Sequence, residues 1–259
     1  MSLKRNAPGI KALKGKERVV CVTAYDLTSG MIADQSGVDV VLVGDSVGNV
    51  VLGYPTTVPV TLDEMVHHVK ATRRGVSEAL LVADLPFGSY GASVEQAVES
   101  AFALMKAGAE AVKLEGDYPE EIRAMIKAGI PVMGHVGFTP QSVNKFGGFR
   151  VQGRTESDPI VAAAKSIDEA GCFAIVLELI PAPLASKITQ AVGCPTIGIG
   201  AGMDCDGEIQ VFHDIMGLSP KLHKHTKKFG DAGRVMRRGM KQYVQAVKDR
   251  TFPTSENSF

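Results

Sequence analysis

Short apolar runs that end on an ionisable side chain recur along this chain, with helical periodicity between them. Val40 to Gly44 leads to Asp45, Leu80 to Ala83 to Asp84, Ala111 to Leu114 to Glu115, Pro131 to Gly134 to His135, and Ala174 to Leu177 to Glu178. Continuous apolar runs of this length read as strands buried on both faces, the signature of a parallel sheet covered by helices. When parallel strands close into a barrel, all their C-terminal ends lie at one rim, and polar residues placed there converge on one site. The pattern therefore predicts both a fold and the place of its chemistry.

Strands are predicted at Val19 to Thr23, Val38 to Gly44, Leu80 to Asp84, Ala111 to Glu115, Pro131 to Val136, Phe173 to Leu179 and Pro195 to Gly200. An eighth falls at Glu208 to Phe212, beside a segment, His213 to Gly217, that reads as easily as helix. Helices are expected at Thr28 to Ser36, Pro159 to Ala170 and Leu184 to Val192. Thr61 to Glu64 has capping-box spacing and opens a helix running to Gly75; Ser93 to Gln96 has the same spacing and opens one that stops at Gly108. Pro119 suits the first position of a helix that ends near Gly129. Thr139 to Asp158 is Gly-rich and aperiodic, and a loop that long is more often functional than idle. Asp231 to Asp249 is a charged amphipathic helix, followed by a polar tail, Thr254 to Phe259. Seven or eight strand–helix units over 259 residues predict an α/β fold, a single (β/α)8 TIM barrel spanning residues 1–259 with a C-terminal helical extension. No GxGxxG follows the first strand, which counts against an open dinucleotide-binding sheet.

Lys plus Arg and Asp plus Glu are 28 each, so no charge excess points to nucleic acid or to an anionic membrane. The apolar runs are too short to span a bilayer, and the first residues have no apolar stretch of a secretion signal. Cys21, Cys172, Cys194 and Cys205 lack CxxC spacing, and buried free thiols are the expectation, in a cytoplasmic protein.

Asp45, Asp84 and Glu115 end neighbouring strands. Three carboxylates in one cleft repel one another unless a cation lies among them, and oxygen-only ligation points to Mg2+. Helix capping or pairing with Arg or Lys is the plainer role for any one of them. Lys113 lies two residues before Glu115 and so shares its face of the strand. An inward Lys suits an anionic substrate, a structural ion pair or Schiff-base chemistry. His135 is open to roles as metal ligand, acid, hydrogen-bond donor or satisfied core group. Glu178 follows an unrelieved apolar run, where desolvation disfavours its charged form and suits it to act as a general base. Gly198 to Gly202 follows the seventh strand, a position used for phosphate binding in many barrels or simply for a turn. His67 and His68 are expected on a helix surface, and Lys221 to Lys228 in a solvated loop.

Seven segments occur in an order that resembles one family. They are Val-Gly-Asp-Ser-Val-Gly (43–48), Ala-Asp-Leu-Pro-Phe (83–87), Val-Lys-Leu-Glu-Gly (112–116), Gly-His-Val-Gly-Phe-Thr-Pro-Gln (134–141), Phe-Gly-Gly-Phe-Arg-Val-Gln-Gly-Arg (146–154), Leu-Glu-Leu-Ile-Pro (177–181) and Gly-Ile-Gly-Ala-Gly (198–202). The chain resembles ketopantoate hydroxymethyltransferase from about Val19 to its end. The resemblance implies transfer of a one-carbon unit from 5,10-methylenetetrahydrofolate to 3-methyl-2-oxobutanoate, with Mg2+, in pantothenate biosynthesis. It also implies that Asp45 and Asp84 hold the metal with Glu115 close by through water, and that Ser46 and Lys113 hold the substrate. Asp45, Asp84 and His135 are expected to border the same substrate pocket, and the resemblance further implies that Glu178 is the base and that the subunits form a homo-oligomer, a decamer. Two other readings compete. One is a Mg2+-dependent C–C lyase of the isocitrate lyase type, against which stands the absence of any Cys between Cys21 and Cys172. The other is a non-catalytic barrel that binds a keto acid, against which stands the joint presence of five ionisable residues at strand ends.

Overall fold

The structure, a computed structural model, describes residues 5–259. Eight strands, β1 (Val19–Thr23), β2 (Val40–Val43), β3 (Leu80–Asp84), β4 (Ala111–Lys113), β5 (Val132–Gly137), β6 (Ala174–Glu178), β7 (Thr196–Ile199) and β8 (Gly207–Gln210), close into a barrel in chain order. Every pairing is parallel, and β8 closes the ring by pairing with both β7 and β1. This is the (β/α)8 architecture that the recurring runs predict. The ambiguous eighth unit resolves into both of its readings, strand β8 and then a short helix, Phe212–Ile215.

Alternate strand residues point inward, and the barrel is filled with Val19, Cys21, Val40, Leu42, Leu80, Val82, Ala111, Met133, Ala174, Val176, Ile197 and Ile209. Continuing the same alternation toward the C-terminal rim brings up Asp84, Lys113, His135 and Glu178. The apolar plug and the polar rim are thus two levels of one side-chain stack.

Local signals act largely as expected. Thr61 accepts from the Glu64 N–H and the Glu64 carboxylate accepts from the Thr61 N–H, so helix Leu62–Arg73 begins with a complete capping box. Ser93 makes only its own half, because the Gln96 side chain donates to the Gly88 carbonyl instead. Gly108, at φ 114°, ends helix Val94–Ala107, and Pro119 opens helix Pro119–Lys127.

Other expectations need correction. Strand β4 ends at Lys113, leaving Glu115 beyond it, because the Glu115 N–H leaves the ladder for the Tyr90 hydroxyl at 3.1 Å. The stretch after β5 is not structureless: Pro140–Ser142 forms a 3-10 turn and Val143–Phe146 a single helical turn. Phe138 anchors it by packing on Phe146 and Phe149, ring centroids 5.7 and 4.8 Å away. Such short turns contain too few residues to show a period. His68 is half-buried, its Nδ1 2.7 Å from the Tyr25 carbonyl, whereas His67 is exposed. All four cysteines are buried and free.

The chain divides after Val211 into two compact units. The barrel belongs to the first. The second, Phe212–Phe259, holds helix Ala232–Lys248 and a 3-10 turn, Ser255–Asn257. Gly233 is the one buried residue of that long helix, and Met236, Met240, Tyr243 and Val247 form an exposed apolar stripe at helical spacing. Lys221, His223 and Lys224 lie in an exposed loop, as expected. Among the described residues no helix is long and apolar enough to cross a membrane.

Candidate active site

Strand register determines which polar groups meet. Asp84 and Lys113 are direct partners across β3 and β4, and Lys113 Nζ lies 2.8 Å from Asp84 Oδ1. Two residues beyond Lys113, Glu115 reaches the level of His135 on β5, with Oε1 3.4 Å from His135 Nδ1. The same Nδ1 is 3.4 Å from Lys113 Nζ, and His135 Nε2 faces Glu178 Oε2 on β6 at 3.4 Å. Asp84, Lys113, His135 and Glu178 thereby form an unbroken polar band across four strands.

Asp45 joins the band from a different direction. It lies in the turn after β2, outside the inward alternation, and its backbone N–H donates to Asp84 Oδ2 at 3.0 Å. Gly44 makes this approach possible: a Cβ there would stand 2.8 Å from Ser46 Oγ and 3.4 Å from Asp84 Oδ2. Ser46 in turn shares a 2.8 Å hydrogen bond with the Tyr25 hydroxyl. Every sequence-predicted site residue, Asp45, Ser46, Asp84, Lys113, Glu115, His135 and Glu178, therefore lies at the C-terminal rim.

Burial and like charge set the electrostatics. Burial first, and then the charges of Asp84 and Glu115, push the Asp45 carboxyl well above its usual range. Burial likewise raises Glu115 to about 7 against the pull of Lys113. Burial raises Glu178 too, opposed by its contact with His135. For Lys113 burial favours the neutral amine, but Asp84, Glu115 and Asp45 outweigh it and keep the ammonium charged. A held ammonium is a poor nucleophile, which argues against the Schiff-base role. Burial and the Lys113 charge pull His135 down, which favours the neutral imidazole.

Two contributors escaped sequence reading. Gln141 and Tyr90 are both buried and hydrogen-bonded into the acid cluster. Gln141 lies inside a segment that carries the family resemblance, but nothing in its own neighbourhood distinguishes it from a turn residue. The glycines after β7 are explained by packing: Gly200 and Gly202 have positive φ, and a Cβ on Gly202 would collide with Ala182.

A closed parallel barrel with buried acids, one ammonium and one imidazole gathered at its C-terminal rim defines a (β/α)8-barrel enzyme acting on small molecules. A sequence model of the ketopantoate hydroxymethyltransferase family matches residues 4–255. The 3-methyl-2-oxobutanoate hydroxymethyltransferase of Moorella thermoacetica is 51% identical, over 97% of this chain and 96% of its own. That of Thermotoga sp. (strain RQ2) is 49% identical, over 98% and 96%. Among solved structures, a 2,3-dimethylmalate lyase of the PEP mutase/isocitrate lyase superfamily superposes with a TM-score of 0.60 at 14% identity, covering 98% of this chain and 91% of its own. At that identity the likeness concerns the fold alone. The chain belongs to the ketopantoate hydroxymethyltransferase family.

Proposed function

We propose that this chain transfers a hydroxymethyl unit from 5,10-methylenetetrahydrofolate to 3-methyl-2-oxobutanoate, giving 2-dehydropantoate, the ketopantoate of pantothenate and coenzyme A synthesis. The whole chain acts as one barrel domain with a helical extension. The observation that carries this reading is the gathering of the Asp45, Asp84 and Glu115 carboxyls around one ammonium, Lys113, with a further carboxyl, Glu178, beside His135 across the band.

The donor set fits Mg2+. Three buried carboxyls against one ammonium leave negative charge uncompensated, and all the acidic donors are hard oxygens. Among the described residues no three His, Cys, Asp or Glu side chains group closely enough to enclose an ion by themselves. Mg2+ takes one or two carboxylates and fills its remaining positions with water and substrate oxygens. Asp45 and Asp84 would hold it directly, and Glu115 through water. When bound, the metal supplies Lewis acidity at the keto acid's carbonyl oxygen.

The chain's own residues do the rest. Ser46 and Lys113 bind and orient the substrate carboxylate and carbonyl. Glu178, its neutral and charged forms brought closer in energy by burial, takes the proton from C3. The C–H electron pair becomes the C2–C3 π bond, and negative charge passes to the carbonyl oxygen. Water adds to the folate methylene carbon as its two bonds to nitrogen break, its protons leaving on the nitrogens of tetrahydrofolate. C3 attacks the freed one-carbon unit, and the resulting alkoxide takes the proton held on Glu178 to become the hydroxymethyl group. His135, 3.4 Å from Glu178, orients that carboxyl. The turns after β5 help to exclude water.

The lyase alternative requires a catalytic thiol. Burial raises all four cysteine thiols, Cys172 to about 12, which disfavours the thiolate such chemistry needs. The chain acts in the cytoplasm, consistent with four free thiols, and as a homo-oligomer, a decamer, to which the exposed apolar stripe of helix Ala232–Lys248 lends support.

Proton NMR of 3-methyl-2-oxobutanoate in D2O tests the central step. Loss of the C3 proton signal that needs both protein and Mg2+ is expected. No exchange, with tetrahydrofolate also present, would overturn the reading.

A further inference from the structure

The barrel ladder includes Asp84, as the last residue of β3, whereas the other two acids lie past the ends of their strands, although the Leu114 and Gly116 N–H groups on either side of Glu115 still donate to the Met133 and His135 carbonyls. Asp45 lies in a turn and Glu115 beyond the end of β4. One residue ties both down. The Gln141 side-chain amide donates to Asp45 Oδ2 at 2.8 Å and to the Leu85 carbonyl at 2.9 Å. Its backbone N–H donates to Glu115 Oε2 at 3.0 Å. Its Oε1 accepts from the Tyr90 hydroxyl at 2.6 Å, and that hydroxyl also accepts from the Glu115 N–H at 3.1 Å. Both amide N–H groups are used and the amide oxygen is engaged, so the side chain has one orientation that satisfies its surroundings. The Tyr90 ring is fixed in turn by edge-on packing against Tyr118, centroids 5.3 Å apart.

We infer that Gln141, seated by Tyr90, is a positioning residue that sets the Asp45 and Glu115 carboxylates in metal-binding geometry. A neutral amide suits this task. It delivers donors to Asp45 without adding a fourth carboxylate, as Glu would, or a second cation that competes with Mg2+. Because Gln141 belongs to the 3-10 turn after β5, the folding of that turn and the arrangement of the acids are one event. This inference rests on the Mg2+ reading proposed above.

The test is Mn2+ affinity, measured by EPR on the full chain without folate, with and without 3-methyl-2-oxobutanoate. Gln141→Met keeps the length and removes the hydrogen bonds, and should bind Mn2+ about 10–100-fold more weakly, the usual effect of losing an outer-shell partner. Tyr90→Phe, which keeps the ring, should show a smaller loss. The double variant should lose less than the sum of the two single losses, since Tyr90 acts in part through Gln141 and in part directly on the Glu115 backbone. A thermal melt of each variant separates positioning from folding. Lowered melting temperature with unchanged Mn2+ affinity would overturn the inference, and so would losses that simply add. If Gln141→Met does not fold, unchanged affinity in Tyr90→Phe overturns it. Failure of the unaltered chain to bind Mn2+ would instead overturn the metal reading itself, and the positioning role with it.

Discussion

Lys113 and Asp84 are paired directly across β4 and β3, and their charged groups meet at 2.8 Å with both side chains 5% exposed or less. Such a pair is held together by strand register, not by chance contact of long side chains. Removing one partner leaves the other buried and unmatched, at a cost of about 3–5 kcal/mol. Asp84→Ala should therefore lose stability on that scale and also weaken metal-dependent substrate binding. Urea titration and Mn2+ binding measure the two effects separately. Unchanged metal dependence would remove Asp84 from the ligand set.

Glu178→Gln should preserve Mn2+ and keto-acid binding while slowing C3 proton exchange by roughly 10²–10⁴-fold, the usual contribution of a general base. Exchange NMR at saturating substrate gives the answer. Exchange at the unaltered rate would move the base elsewhere.

Glu115 offers a pH signature. Its carboxyl is raised from 4.5 to about 7 in the folded protein, so between those values the native state binds more protons than the unfolded one. Its contribution to stability is complete below 4.5 and is lost as pH rises through about 7. In metal-free protein, urea midpoints of the native chain should fall relative to those of Glu115→Gln across this window. Parallel curves for the two proteins would show that Glu115 titrates normally.

Gly44→Ala places a methyl 2.8 Å from Ser46 Oγ. The Ser46–Tyr25 hydrogen bond should break and the carboxylate-binding end of the site should shift. A misplacement of about 1 Å there would cost about 100-fold in rate, and a smaller one proportionately less. Steady-state kinetics should show the loss in kcat/KM, with the far-UV spectrum unchanged.

Met240 lies 63% exposed on the apolar stripe of helix Ala232–Lys248. Met240→Lys should lower the mass seen in sedimentation without altering the barrel's melting transition. Unchanged mass would locate the subunit contact on another surface.

Most strands are legible because they are apolar on both faces, which β8, Gly-Glu-Ile-Gln, is not. The ends of β3 and β6 are legible because Asp84 and Glu178 close their runs, whereas Asp45 and Glu115 fall beyond β2 and β4 and β5 continues past His135. Ser93 and His68 were misread for one reason: local spacing does not reveal that Gln96 finds a better acceptor in Gly88, or that the Tyr25 carbonyl lies within reach of a surface helix.

Sequence by itself determined the barrel, its inward alternation and the identity of the acids at its rim, since all three follow from period and side-chain type along the chain. Tertiary structure alone decided which of those groups touch. Asp84 meets Lys113 through strand register, and Asp45 is bridged to Glu115 by Gln141, which lies 96 residues from Asp45 and 26 from Glu115. Hydrogen bonds of that span depend on closure of the barrel, and no local pattern encodes them.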